Sequence, residues 1–257
     1  MGDTVTVQSL KSLLRYPFQR EGWHREFLIG SGLLFIGFFV PFVPNVFVLG
    51  YATRVMRQAI EGRRLTLPAW DDWRDLGLHG LRCLAIQAVY ALPGLVVLIG
   101  GFGLYVGATL LTPLLSIFAE RTPEVMTFFP FALLGSLVVL FVSMSLGSLL
   151  LVVGAVPLPM ATVHAVAQDR IGAAFRLSKW WAYLRNNKLG YFAAWIIMSG
   201  LFTLFYVGLI LAYYTIVFCA IVPLAAAPVA FYFILIGAAV FGQTYREGVL
   251  QSEANPC

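Results

Sequence analysis

Four long stretches of this chain contain no Asp, Glu, Lys or Arg. They span residues 27–53, 83–119, 125–168 and 189–245. Each exceeds the roughly 20 residues that a helix needs to cross about 30 Å of hydrocarbon. As one helix, the last stretch would be about 85 Å long, so it must fold back as a hairpin. The stretches therefore predict an all-α, polytopic transmembrane helix bundle of about five spans.

The composition agrees with a membrane location and excludes an ordinary soluble domain. Hydrophobic residues make up 60% of the 257 residues and charged residues 11%, against about 45–50% and about 25% in soluble domains. The formal net charge is +5, but the bases do not cluster on a soluble module, so we expect no nucleic-acid partner. We expect a single integral membrane domain, residues 1–257, whose partner is the bilayer with its anionic headgroups.

Glycine and proline indicate where the long stretches bend. Gly100-Gly101-Phe102-Gly103 interrupts the second stretch and Val156-Pro157-Leu158-Pro159 the third. Each stretch is interpreted either as a long kinked helix that extends beyond the hydrocarbon or as a span plus a half-helix, and we favour the kinked or extended span in both cases. In the last stretch, the hairpin turn is predicted at 225–228 or at 221–223, where proline occurs.

The bases predict an orientation. Segments 51–82 and 165–188 carry most of them, whereas the turn at 120–124 carries only Arg121. The positive-inside rule then places both basic segments and the tail 246–257 in the cytoplasm. The chain is predicted to be a multi-pass protein of the cell (plasma) membrane.

The N-terminus conflicts with this orientation. Residues 1–26 carry four bases and are predicted to form an amphipathic interfacial segment. If residues 27–50 crossed the membrane once, these bases would lie outside. Alternatively, Pro41 and Pro44 mark the tip of a re-entrant hairpin of two short helices. Both readings remain open at this stage.

Tryptophan and basic side chains in the polar segments are typical of the headgroup layer. Between 175 and 188 they alternate at roughly helical spacing, which predicts a helix lying in the interface. The candidate membrane-interface and lipid contacts are Trp23, Trp70, Trp73, Arg176, Lys179, Trp180, Trp181 and Arg185.

No motif predicts catalysis, a cofactor or a metal. Asp71, Asp72 and Asp75 could hold a hard cation, but a helix N-cap with arginine partners explains them better. His164 is interpreted as a solvated or hydrogen-bonded interfacial histidine. The apolar stretches contain no ionisable pair, which disfavours charge-coupled transport.

Three elements resemble a known family: Gly50-Tyr-Ala-Thr-Arg-Val-Met-Arg57, Leu67-Pro-Ala-Trp-Asp-Asp-Trp73 and Arg170-Ile-Gly-Ala-Ala-Phe-Arg176. They are similar to the uncharacterised prokaryotic membrane proteins of domain-of-unknown-function family 4013. The resemblance implies a membrane location and supplies no activity or site residue. We therefore expect a non-enzymatic scaffold or accessory subunit, with membrane-protein partners or a homo-oligomer. The alternative is a transporter or channel for a lipid-like or neutral solute.

Overall fold

A computed structural model describes residues 13–19, 21–40, 42–119, 123–215 and 222–254 of the chain. Within these ranges the fold is all-α, as predicted, without a strand. Short 3-10 helices occur at Tyr16–Phe18 and Ile171–Phe175. The α-helices are α1 (Trp23–Gly37), α2 (Val43–Ile60), α3 (Trp73–Ala119), α4 (Pro123–Ala155), α5 (Leu158–Gln168), α6 (Leu177–Asn186), α7 (Lys188–Tyr214) and α8 (Val222–Ala254).

Four segments of the described chain are long and apolar enough to cross a membrane. They are Trp73–Leu111, Pro130–Gln168, Lys188–Tyr214 and Val222–Ala254. These four account for the last three charge-free stretches, including the predicted hairpin of the last one. The first stretch is not among them.

The first charge-free stretch is broken into two helices. α1 has 15 residues and ends at Gly37, which corresponds to about 22 Å, less than the hydrocarbon thickness. Phe42 then adopts a φ of 84°, and α2 starts at Val43 with Pro44 in its first turn. The described residues of this stretch thus form two helices, as the hairpin alternative predicts. Crossing of the membrane by residues 27–50 stays a prediction beside the four segments of spanning length.

Two other predicted interruptions have different outcomes. α3 passes through Gly100–Gly103 without a break. Glycine keeps its backbone N–H, so it interrupts the hydrogen bonds of a helix less than proline does. The third stretch does break, because α4 ends at Ala155 and α5 starts at Leu158. No turn occurs at 225–228, because Pro228 lies inside α8, which starts at Val222. The alternative position, 221–223, overlaps the start of α8, and residues 216–221 lie outside the described residues.

The chain divides into two compact units. The larger unit comprises Met1–Ile86 and Pro159–Cys257. In it, α8 packs against α1, α2, α6 and α7. α2 and the start of α3 cross at two glycines: a Cβ on Gly50 would lie 1.9 Å from the Leu76 carbonyl oxygen, and one on Gly80 1.8 Å from that of Val46. The absence of a side chain lets these backbones touch.

The second unit, Gln87–Leu158, is called the hairpin unit here. Its helices α3 and α4 run antiparallel and meet at Gly94 and Gly147. A Cβ on Gly94 would lie 2.8 Å from the Gly147 carbonyl oxygen, and one on Gly147 3.0 Å from that of Gly94. Most large apolar side chains of α4 are exposed.

Candidate functional site

One cluster of charged side chains in the larger unit centres on Arg54. This residue lies on α2 and faces the loop before α3. Its guanidinium pairs with Asp71 and, at 3.1 Å, with Asp75, and it also donates to the Ala69 carbonyl at 3.2 Å. Partial burial opposes its charge, but the two carboxylates outweigh this and raise the Arg54 pKa. The hydrogen bond from Arg54 lowers the Asp71 pKa.

The three acids of this segment have structural partners. Asp72 precedes α3, and its Oδ1 accepts the Asp75 backbone N–H at 3.1 Å, which is the bond of an N-cap. Asp71 and Asp75 pair with Arg54. Within the described ranges, no group of three or more His, Cys, Asp or Glu side chains could hold a metal ion.

A second ion cluster links the two basic segments through Asp169. Its Oδ1 lies 2.9 Å from Arg82 Nη1, 3.5 Å from Arg57 Nη2 and 3.2 Å from His79 Nε2. Burial would raise the Asp169 pKa, but the His79 hydrogen bond and the charges of Arg82 and Arg57 outweigh it, so the pKa is lowered. This cluster joins the end of α5 to α2 and α3.

A shallow cleft opens beside Asp169. Polar side chains at its rim include His79, Arg82 and Arg170, whereas Cys83 and Ile86 form its apolar floor. The cations there already face the Asp169 carboxylate. The cleft thus lies beside the Asp169 ion cluster, whose charged side chains are paired with one another.

An aromatic core underlies the Arg54 cluster. The Trp70 indole stacks on Tyr51 with ring centroids 4.2 Å apart, and both rings contact Phe231 of α8. The Trp70 Nε1–H donates to the Glu26 carbonyl at 2.8 Å, and the Glu26 carboxylate accepts the Trp70 backbone N–H at 3.2 Å. This core ties the Leu-Pro-Ala-Trp-Asp-Asp-Trp element to three helices.

Two of the residues predicted to contact lipid, Trp70 and Trp180, are buried within the protein. Trp70 is only 9% exposed and Trp180 only 1%. Each indole N–H finds a protein carbonyl, that of Glu26 for Trp70 and that of Ala174, at 3.0 Å, for Trp180. Both rings therefore belong to the protein interior.

The other six candidates lie at the surface to different degrees. Trp73 is 44% and Trp181 54% exposed, and Trp23 is half-buried. The exposed bases are Arg176, Lys179 and Arg185. α6, which carries two of these bases, is amphipathic, with Trp180 and Leu184 buried on its other side. Contact of these six residues with lipid stays a prediction.

Two further polar side chains have hydrogen-bond partners that no sequence signal indicates. His164 is buried, and its Nδ1 lies 2.8 Å from the Tyr245 hydroxyl, so it is hydrogen-bonded but not solvated. Tyr16, in the predicted interfacial N-terminus, is buried and donates to the Leu235 carbonyl at 3.0 Å. Burial raises the Tyr16 pKa. All of these partners are more than 80 residues apart, so no local spacing identifies them.

Four apolar helices of spanning length, with the polar clusters outside their centres, define an integral membrane protein. The family model described as "Protein of unknown function (DUF4013)" matches residues 33–214, and the chain belongs to this family. The match includes both ion clusters and ends before α8. No curated protein and no solved structure matches the chain.

Proposed function

We propose that this chain is a non-enzymatic membrane protein that scaffolds, or is an accessory subunit of, a larger membrane assembly. The observation that carries the proposal is the apolar surface left open by its spans. Only 6% of the most apolar window of Pro130–Gln168, and 11% of that of Lys188–Tyr214, is buried within the chain. Such helices offer their side chains to lipid or to the helices of other proteins.

The distribution of charge supports the same role. Ionisable groups in the spans lie near the ends, such as Arg82 in Trp73–Leu111 and Glu247 in Val222–Ala254. Transporters of charged solutes generally place such groups at the membrane midplane. The acids that could have served an enzyme, Asp71 and Asp75, are engaged by Arg54. This pairing supports a structural rather than a catalytic role.

We also propose a plasma-membrane location with the basic segments in the cytoplasm. Contacts between the segments support a common face. Asp169 of the second segment pairs with Arg57 and Arg82 of the first, and the Arg246 side chain lies over Gly62. The exposed bases of α6 would then face anionic headgroups of the inner leaflet.

Photo-crosslinking in native membranes tests the accessory role. Benzoylphenylalanine is placed at Val138 on α4 or at Leu204 on α7, which are 59% and 71% exposed. The matched control is Phe231, which is fully buried. We expect the outward positions to link the chain to one recurring membrane protein, with the same partner present after detergent-free extraction. Links to lipid alone, together with extraction as a solitary chain, would refute the proposal.

The second candidate is a transporter for a lipid-like or neutral solute. The break between α4 and α5 at Val156–Pro157 favours it, because discontinuous helices line many transport sites. Proteoliposomes containing the purified chain test this directly. Saturable movement of a neutral amphiphile between leaflets, absent from protein-free liposomes, would replace the accessory role with this one.

A further inference from the structure

A second cleft of the larger unit also borders Asp169. It has a volume of about 230 Å³ and opens to the surface between the end of α2 and the end of α5. Charged and apolar side chains share its lining, which consists of Arg57, Ile60, Glu61, Val166, Ala167 and Asp169. The volume is below the range of about 300–1,000 Å³ that is typical of drug-sized ligands, so the cleft suits a small headgroup rather than an acyl chain.

The charged side chains of this lining use only part of their hydrogen-bonding capacity. The side chains that contact the Asp169 carboxylate all approach Oδ1, and Glu61 pairs with Arg63 through Oε2. Within the described part of the chain, Asp169 Oδ2 and Glu61 Oε1 therefore have no hydrogen-bond partner. Arg57 contacts His79 and Asp169 through Nη2 alone, at 3.4 and 3.5 Å, although a guanidinium carries five N–H donors.

The charge around the cleft favours an anionic ligand. The guanidinium groups in its lining or directly beside it belong to Arg57, Arg63, Arg82 and Arg246. The carboxylates of the lining are those of Glu61 and Asp169. With histidine counted as neutral, four positive charges face two negative charges, an excess of two positive charges. This excess attracts a phosphodiester and repels an ammonium group.

The cleft lies where a segment of spanning length ends. Val166 and Ala167 belong to the last turn of α5, which is also the end of the apolar segment Pro130–Gln168. Charged groups at the end of a span lie in the headgroup layer of the bilayer. A lipid phosphate can therefore enter the cleft without leaving its leaflet.

We propose that this cleft binds the headgroup of an anionic glycerolipid whose phosphate is esterified to a polyol, such as phosphatidylglycerol. The Arg57 guanidinium donates to two phosphate oxygens, a charge-assisted contact for which its planar fork is suited. The polyol hydroxyls donate to Glu61 Oε1 and Asp169 Oδ2. Ile60 and Val166 contact the glycerol backbone, and the acyl chains stay in the bilayer. This site needs no partner protein, so it is independent of the accessory role proposed above.

Competition among lipids with matched acyl chains tests the site in the full-length chain. The protein is reconstituted in phosphatidylcholine nanodiscs that contain equal fractions of phosphatidylglycerol and phosphatidylethanol, and the lipids that stay bound are counted by native mass spectrometry. Phosphatidylethanol carries the same single negative charge but no hydroxyl. We expect phosphatidylglycerol to be retained about tenfold more than phosphatidylethanol, the change produced by about 1.4 kcal/mol. Relative to its content in the disc, phosphatidylethanol should in turn be retained more than phosphatidylcholine.

Variants separate the cleft from the rest of the basic surface. Arg57→Gln removes the phosphate donor and should lower the retention of both anionic lipids about tenfold. Arg74→Gln is the matched control, because Arg74 is an exposed base at the start of α3 and lies outside the cleft lining. Glu61→Leu removes one hydroxyl acceptor, so it should narrow the difference between phosphatidylglycerol and phosphatidylethanol without lowering the retention of phosphatidylethanol.

Three results would overturn the proposal. They are equal retention of phosphatidylglycerol and phosphatidylethanol in the unmodified chain, full retention of phosphatidylglycerol in Arg57→Gln, and displacement of the lipid by soluble glycerol phosphate, which would assign the cleft to a soluble ester. If Arg57→Gln does not give monodisperse, helical protein, Ala167→Trp replaces it, since it fills the cleft from α5. Its control is Gln168→Trp, at the exposed neighbouring position outside the lining. Full retention in Ala167→Trp would count equally against the site.

Discussion

The larger unit and the hairpin unit bury their residues in different ways. The larger unit encloses aromatic side chains such as Tyr51, Phe231 and Trp180, each at most 1% exposed. Its tyrosines and tryptophans also donate hydrogen bonds to distant carbonyls. In the hairpin unit, large side chains such as Phe141 and Val138 are 64% and 59% exposed. Its helices approach each other closely at Gly94, Gly101 and Gly147.

The difference shows which forces specify each unit. In the larger unit, side chains far apart in sequence enclose one another, so internal packing and hydrogen bonds select the arrangement. In the hairpin unit, lipid tails are as apolar as the exposed leucines and valines, so there is no hydrophobic drive between the helices. Close backbone approach at small residues supplies the attraction instead. Substitutions should therefore have larger effects in the larger unit.

The largest effect is expected for Gly80→Ala in the larger unit. The new Cβ would lie 1.8 Å from the Val46 carbonyl oxygen and 2.9 Å from the Gly50 nitrogen. Both are backbone atoms, so no side-chain rotation relieves the overlap and α2 must separate from α3. We expect a loss of at least about 3 kcal/mol of unfolding free energy, measured by denaturant titration in detergent micelles with tryptophan fluorescence.

Gly77→Ala is the matched control for this prediction. It lies one turn earlier on α3, and its new Cβ would reach only a ring carbon of Phe47, at 3.4 Å. Alanine is a better helix former than glycine by about 1 kcal/mol, so this variant should be at least as stable as the unmodified chain. Equal losses in both variants would mean that the α2–α3 contact does not limit stability.

A smaller loss is expected for Gly101→Ala in the hairpin unit. Its Cβ would lie 2.1 Å from the Ser143 Cβ on α4, so the two helices must shift to accommodate it. We expect a cost of about 1–2 kcal/mol, because the hairpin unit has fewer enclosed neighbours to displace. The thermal midpoint in nanodiscs, followed by circular dichroism, measures this change.

Gly103→Ala provides the comparison within the same helix. No atom lies within 4 Å of its new Cβ, so the substitution should cost nothing. A loss in Gly101→Ala that equals or exceeds that of Gly80→Ala would reverse the ranking of the two units. A loss in Gly103→Ala would indicate that this open face is occupied in the membrane.

Much of the fold followed from the sequence because charge-free length is a local property. The four spans lie within the last three stretches, and the hairpin alternative for 27–50 depended on two prolines whose effect is also local. Turn positions were less predictable. Pro228 fits inside α8, since a proline in a membrane helix is tolerated when neighbouring groups satisfy the freed carbonyl.

The site was less predictable than the fold, because burial depends on distant partners. Tryptophan is typical of the membrane interface, yet Trp70 contacts Glu26 and Phe231. Trp180 donates a hydrogen bond to the Ala174 carbonyl. An N-cap at the start of α3 was within reach of sequence reasoning, because N-cap spacing is local, although Asp72 rather than Asp71 accepts the capping hydrogen bond. The pairing of Asp169 with Arg57 and Arg82 was not, because it joins segments separated by more than 80 residues.

The smallest effect concerns the Asp169 cluster, which belongs to the larger unit alone. Burial alone would raise the Asp169 pKa, but the hydrogen bond with His79 and the charges of Arg82 and Arg57 outweigh it, so the Asp169 pKa is lowered. A lowered folded-state pKa stabilises the protein above the unfolded value of about 3.9, and this contribution is lost as the pH falls through the folded pKa. Asp169 is 62% exposed, so screening limits the contribution to less than about 1 kcal/mol.

Asp169→Asn tests this contribution. At neutral pH and low salt, the variant should unfold at a slightly lower denaturant concentration than the unmodified chain. The difference should shrink as the pH falls below about 4, because the protonated aspartic acid is then as uncharged as asparagine. It should also shrink at 1 M salt, where the Debye length is about 3 Å. A difference independent of both pH and salt would mean that Asp169 acts through its hydrogen bonds or shape rather than its charge.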